Sequence, residues 1–166
     1  NKTINEIPIE VLCKKIAEKG VFEINLLGGE PFIHKEKLIM ALKCLKEFGI
    51  TIKTIITNGQ FFDEKIVSYL KEHPNLDLQI SFDAATPETY LEIRASPNFN
   101  KLIENTKKFV ESGISVSLSF VIMKGNTHEI ESFVKLAEQL NVKSITFTGF
   151  IPIGEGYYIR HKELSP

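Results

Sequence analysis

Apolar residues along this chain fall into two kinds of run that take turns. Short, nearly continuous runs occupy Val21 to Leu27, Ile50 to Thr57, Leu76 to Phe82, Ile114 to Met123 and Ser144 to Phe150, and each reads as a β-strand. Between them the apolar residues return at helical spacing. Glu6 to Lys19 carries Ile9, Leu12 and Ile16, with Asn5 as cap, Pro8 in the first turn and Gly20 as the stop. Lys35 to Phe48 carries Leu38, Leu42, Leu45 and Phe48 and closes at Gly49. Asp63 to Glu72 carries Ile66, Val67 and Leu70 and ends before Pro74.

Further along, Pro87 to Ile93 forms a short helix behind the cap Thr86, and Ser96-Pro97-Asn98 breaks the chain. Phe99 to Glu111 is a longer helix that stops at Ser112-Gly113. Glu129 to Leu140 carries Ile130, Phe133, Val134, Ala137 and Leu140 on one face. From Ile151 to Pro166 no strong period survives, so residues 157–166 read as a tail or linker behind a domain of residues 1–156. Strict alternation of strand and helix predicts an α/β fold with parallel strands and right-handed crossovers. An open doubly wound sheet and a whole or partial barrel both satisfy it.

Composition narrows the function classes. The 166 residues are 43% hydrophobic and 25% charged with a net charge of −1, an ordinary globular balance. Lys and Arg are spread through the helices, so no nucleic-acid stripe or membrane-binding face is expected. No apolar run has the length of a membrane span and no signal peptide opens the chain, which makes the cytoplasm the default location. The two cysteines, Cys13 and Cys44, sit in helical patterns without metal-ligand spacing and read as small buried side chains.

The chemistry-bearing residues collect at one end of the strands. In parallel α/β folds, ligands bind at the carboxyl ends. Those ends read Gly28-Gly29-Glu30-Pro31, Thr57-Asn58-Gly59, Ser81-Phe82-Asp83, Met123-Lys124-Gly125-Asn126 and Thr148-Gly149, whereas the opposite ends are plain helix stops. Taken singly, each has a plainer reading: a tight turn for Gly28-Gly29, a turn pair for Asn58-Gly59, a helix cap for Ser81 or Asp83, a solvated charge for Arg94. The glycine pair fits neither the G-x-G-x-x-G nor the P-loop pattern, which argues against a nicotinamide or nucleoside-triphosphate site. His34, His73, His128 and His161 are scattered, and no nucleophile triad order is present.

As a set, the rim resembles the radical S-adenosylmethionine superfamily. Gly28-Gly29-Glu30-Pro31 is similar to that family's GGEP motif. Thr57-Asn58-Gly59 stands at the corresponding next strand end, and Ser81 to Tyr90 resembles S-x-D-G-A-T-P-E-T-Y, with Arg94 as the arginine that ends it. Ile151 to Gly156 resembles the P-x-G-R-x stretch after the last strand. The resemblance spans about Ile7 to Gly156 and is nearest to the peptide- and protein-modifying maturases with C-terminal cluster extensions, the molybdenum-cofactor and haem-maturation members being close by. It implies a partial (β/α)6 barrel like a TIM barrel, with the first strand missing.

The resemblance further implies S-adenosylmethionine bound at Gly28, Gly29, Glu30, Pro31, Asn58, Ser81, Asp83 and Arg94. It implies a 4Fe-4S cluster, an electron donor, and a peptide, protein or small-molecule substrate that loses hydrogen to a 5′-deoxyadenosyl radical. The chain departs from the family in having no C-x-x-x-C-x-x-C. Ala84-Ala85 also stands where Gly-Ala is usual, and Glu155 where Arg is common. The expected picture is a fragment holding the cofactor rim without metal ligands, self-associating through the unpaired edge of Val21 to Leu27. Two rivals are a clusterless relative that binds peptides as a scaffold, and an unrelated phosphate-binding barrel.

Overall fold

The computed structural model describes residues 7–96, 98–152 and 154–164, with the backbone alone at 154–156. The expected cap Asn5, the helix start Glu6, Pro97 and Ile153 lie outside the described residues, as do the side chains of the Gly154-Glu155-Gly156 stretch. Six α-helices and five strands alternate within that range: α1 (Ile9–Glu18), β1 (Glu23–Leu26), α2 (Lys35–Glu47), β2 (Thr51–Thr57), α3 (Glu64–Leu70), β3 (Asp77–Ser81), α4 (Pro87–Arg94), α5 (Phe99–Glu111), β4 (Val116–Ile122), α6 (Ile130–Gln139) and β5 (Ser144–Gly149). No helix among the described residues is long and apolar enough to cross a membrane.

All five strands are parallel, and the sheet order is β1-β2-β3-β4-β5. A doubly wound sheet reverses its strand order at a switch point. This one never reverses, so each strand lies beside its sequence neighbour as in a barrel wall. The fold is therefore a five-stranded partial barrel of the TIM-like kind.

The helices cover one face of the sheet. Leu78, Ile80, Val116, Leu118 and Phe120 are buried there against Leu102, Phe109 and Phe133 of α5 and α6. Positions of opposite parity face away from the helices, and strand register stacks them in layers. Ile56, Gln79, Ser117 and Ser144 form one layer, and Ser81, Ser119 and Thr146 form the next layer toward the carboxyl ends. This second face is mostly polar, with Ile56 and Val121 as apolar members. Asp77 on it accepts hydrogen bonds from Ser115 (2.9 Å) and Ser117 at the amino-terminal end. A bulge at Lys53 corrects the phase of β2, so that Ile52 and Ile55 both turn toward the helices.

Several expected elements shift. The first strand begins at Glu23, because Val21 and Phe22 (79% exposed) lie outside the ladder. In α1 the buried residue is Cys13, while Leu12 is 44% exposed. Ile9 and Ile16 of the expected stripe are half-buried against the core, and Leu12 is the one of the three that turns outward. Phe48 is exposed too, since it lies past the last turn of α2. Cys13 and Cys44 meet within the α1–α2 contact; burial, then the neighbouring thiol, pushes Cys13 up to about 11, which makes it inert. The tail forms two 3-10 turns within Gly154–Lys162 that meet at a kink at Ile159, and Lys162 closes onto the β4 exit by accepting from the Lys124 N–H at 2.7 Å.

Gly59, at the end of β2, is required by both conformation and space. Its φ is +69°, and a Cβ there would lie 2.5 Å from Leu102 Cδ1 and 2.7 Å from Ile80 Cγ2. Gly59→Ala is expected to cost about 2–4 kcal/mol by combining overpacking with left-handed strain. Urea denaturation measures this, and a loss below about 1 kcal/mol would contradict the packing described.

Candidate functional site

The carboxyl ends of the strands carry two hydrogen-bonded clusters joined by one contact. The first is built on Glu30. Gly28 and Gly29 leave β1 with φ of +110° and +45°, a path that an L-side chain rarely takes, and a Cβ on either would meet open space. Conformation rather than crowding selects glycine here. Pro31 then opens a 3-10 turn, Pro31–Ile33, that the periodicity does not reveal.

Glu30 caps that turn and reaches across to β2. Its Oε1 accepts from the Phe32 N–H (3.1 Å) and the Thr57 hydroxyl (2.7 Å), and its Oε2 accepts from the Asn58 N–H (2.7 Å). A carboxylate offers about four lone-pair positions. Three are taken, so one direction is left for a further donor. The Asn58 side chain turns back to accept from the Gln60 N–H at 2.9 Å. A cleft of about 450 Å³ lies against Gly28 to Pro31, walled by Leu26, Leu27, Ile33 and Leu38.

The second cluster is built on Asp83. It is nearly buried and sits at φ +59°, an uncommon conformation that Asp tolerates better than most residues. One carboxylate oxygen accepts from the Val121 N–H at 2.7 Å, and the other pairs with Arg94 at 2.5 Å. The positive φ falls on Asp83 and not on Ala84, so alanine replaces the usual glycine there without backbone strain. Arg94 closes α4 one turn beyond Tyr90, whose hydroxyl accepts from Gln60 Nε2 at 3.1 Å and so links the two clusters. Gln60 Oε1 is buried there without a hydrogen-bond partner among the described residues.

Ser81 ends β3 half-buried beside Ser119, and its hydroxyl makes no hydrogen bond among the described residues. Of the eight residues expected at the rim, Glu30 joins Asn58 and Asp83 joins Arg94, while Gly28, Gly29 and Pro31 shape the first loop. Ser81 stands between the clusters with its hydroxyl uncommitted.

Two further residues brace this rim: Asn126, from the strand end Met123 to Asn126 expected there, and Glu129, which gave no functional signal in the sequence. Asn126, buried in the loop after β4, donates through Nδ2 to the carbonyls of Asp83 (3.0 Å) and Val121 (2.8 Å), and accepts through Oδ1 from the Met123 N–H (2.9 Å). Glu129 ends a 3-10 turn, Thr127–Glu129, and takes the cap position at the amino terminus of α6, the helix start that periodicity expects. Its carboxylate is buried and accepts from the Ala85 N–H (2.6 Å) and the Thr86 hydroxyl. Burial pushes the Glu129 carboxyl up, but the donors from Thr86, Ala85 and Thr89 outweigh it and hold it below its ordinary value. A signal was available: Asn126 and Glu129 stand three apart before an apolar helix, the spacing of a capping box.

The donor set suits an organic cofactor and not a metal. Glycine backbone, one lone-pair position on Glu30 and the Ser81 hydroxyl suit a molecule with an ammonium and hydroxyls. Among the described residues no group of three or more His, Cys, Asp or Glu could hold a metal ion, and both cysteines lie away from the rim in α1 and α2.

Residues 2–140 match the sequence profile of the Radical SAM superfamily. Among curated proteins, the chain is 30% identical over 149 residues to a probable GTP 3′,8-cyclase of Saccharolobus islandicus, covering 88% of this chain and 47% of that protein. It is 31% identical over 156 residues to the GTP 3′,8-cyclase of Petrotoga mobilis, covering 89% and 48%. The chain thus spans about half the length of the curated relatives it matches. Among solved structures, Streptococcus suis SuiB bound to S-adenosylmethionine superposes with a TM-score of 0.73 at 22% identity, over 90% of this chain and 35% of that one. A complex of anSMEcpe with AdoMet and the Cp18Cys peptide superposes with a TM-score of 0.71 at 17% identity, over 86% and 42%. These two likenesses concern the fold.

Proposed function

The chain belongs to the radical SAM superfamily, and from that membership we propose that its rim binds S-adenosylmethionine within an enzyme that takes hydrogen from a peptide or protein substrate. The family's cofactors are S-adenosylmethionine and a 4Fe-4S cluster. When bound they supply a 5′-deoxyadenosyl radical for hydrogen abstraction. No residue described in this chain serves as a cluster ligand, so no step is assigned to one.

The chain's own share is to hold and orient. The open lone-pair direction of Glu30 accepts from the cofactor's ammonium, while Thr57 and Asn58 fix the carboxylate that does so. The loop Gly28-Gly29 brings backbone close to the ligand, and Ser81 offers its hydroxyl to the ribose or carboxylate. Asp83 acts through Arg94 and Val121, because both of its oxygens are already engaged.

One observation supports a peptide over a nucleotide. From Asn25 and Thr54 onward, the sheet face turned away from the helices presents Asp77, Gln79, Ser81, Ser119, Thr146 and Thr148 beside Ile56 and Val121, and among the described residues carries no Lys or Arg. Hydroxyls and an amide match the neutral hydrogen-bonding groups of a peptide backbone. A triphosphate would find no counter-charge on this face. The sequence likeness to GTP 3′,8-cyclases supports the second reading, a nucleotide substrate held by cations elsewhere in the protein.

Calorimetric titration separates them. Saturable binding of S-adenosylmethionine is expected, and its absence would overturn the rim assignment. GTP added to the cofactor-loaded protein is expected to produce no heat at millimolar concentration. Tight GTP binding there would sink the peptide reading.

A further inference from the structure

We infer that Glu129 and Asn126, from the loop after β4, are positioning residues for the cofactor rim: they hold the β3–α4 segment Asp83 to Thr86 in the conformation that binds S-adenosylmethionine. This rests on the rim assignment above. The two buried side chains make five hydrogen bonds, three of them to that segment and two to the β4 exit at Val121 and Met123. Asn126 takes the Asp83 carbonyl and the Val121 carbonyl with one amide nitrogen, so it ties the strained Asp83 backbone to the β4 exit. Glu129 takes the next N–H that can reach it, that of Ala85, together with the hydroxyl of Thr86. Asp83 completes the clasp by accepting from the Val121 N–H.

The rim needs this clasp because its conformation is not self-supporting. A non-glycine residue at φ +59° is held in place only when its surroundings over-determine it. Ser81 lies two residues before Asp83, and Arg94 is aimed by it, so both face the ligand in an orientation set from the β4 loop. Neither positioning residue needs to touch the cofactor. Both oxygens of Glu129 accept within the clasp, and both amide hydrogens of Asn126 are donated there.

The test uses Glu129→Gln in the 166-residue chain, since the two donors sit on different carboxylate oxygens and a carboxamide keeps one oxygen and removes the charge that strengthens both bonds. Amide exchange at Ala85 and its neighbours is expected to quicken at least tenfold, with the Asn58 amide unchanged. Affinity for S-adenosylmethionine in equilibrium dialysis is expected to fall about tenfold, while the thermal midpoint moves by only a few degrees. Thr86→Val removes one donor and is expected to weaken binding in the same direction, and Thr86→Ser, which keeps the hydroxyl, restores it. Should Glu129→Gln quicken exchange yet bind the cofactor as the unaltered chain does, the clasp is structural only and the inference fails. Unchanged exchange at Ala85 also overturns it. If the unaltered chain does not bind S-adenosylmethionine, the rim assignment is what has failed.

Discussion

Glu30→Gln is expected to weaken S-adenosylmethionine binding ten- to a hundredfold and to destabilise the fold by about 1–3 kcal/mol. Both effects come from counting donors. The carboxylate accepts from the Phe32 N–H, the Thr57 hydroxyl and the Asn58 N–H, and one direction remains for an ammonium. A carboxamide keeps one acceptor oxygen and turns an N–H₂ toward a group that is itself a donor, leaving a part-buried hydrogen bond unmade. It also removes the charge that would meet the ligand's ammonium, and a charge-assisted hydrogen bond contributes about 1.5–3 kcal/mol, or ten- to a hundredfold in affinity. Calorimetric titration gives the affinity and urea denaturation the stability. Binding within threefold of the unaltered chain would show that Glu30 is only a brace between β1 and β2.

Phe109→Ala is the second large effect, with an expected loss of about 3–5 kcal/mol. Phe109 of α5 is fully buried, and its ring stands edge-on to both Phe32 (5.7 Å between centroids) and Phe62 (5.0 Å). Phe32 follows Glu30 by two residues and donates its N–H to it. The aromatic contact therefore anchors the first rim loop from behind as well as filling the core. Removing the ring leaves a cavity that Phe32 and Phe62 can only partly close. Denaturation in urea checks the loss. A change under about 1.5 kcal/mol would mean that the site collapses freely and the loop is held by other contacts.

The expected elements were legible because each strand run and each helical stripe is long enough to show its own period. Spacing fails where it says nothing about neighbours: Leu12 and Phe48 repeat correctly, yet among the described residues they stay 44% and 42% exposed. The choice between a barrel and a doubly wound sheet was not legible, since strand order depends on pairing between runs and not on any run alone. It took the four ladders between the five strands to decide it.

The site divides along the same line. Glycines and the Glu30 carboxylate stand out by residue type, because few positions accept positive φ. Asp83 and Arg94 were placed at the rim, but their mutual pairing turns one expected ligand contact into support for the other. Glu129 was hidden by its place at a helix start, where a carboxylate is common and usually faces water. The hydroxyls at Ser115, Ser117 and Ser119 recur with period two and are plain in the sequence. Their meaning came only when the facing strands supplied Ser81 and Thr146 at the same level.

Because strands lie in the sheet in the order in which they occur in the chain, the order of synthesis and the order of pairing coincide. A chain emerging from its amino-terminal end meets each ladder partner as soon as the next strand is made. The rim inherits that sequence of events. The Glu30 cluster is complete once Asn58 has been made, whereas Asp83 must wait for Val121, and Ala85 for Glu129. The first half of the cradle can thus exist before the second has been translated.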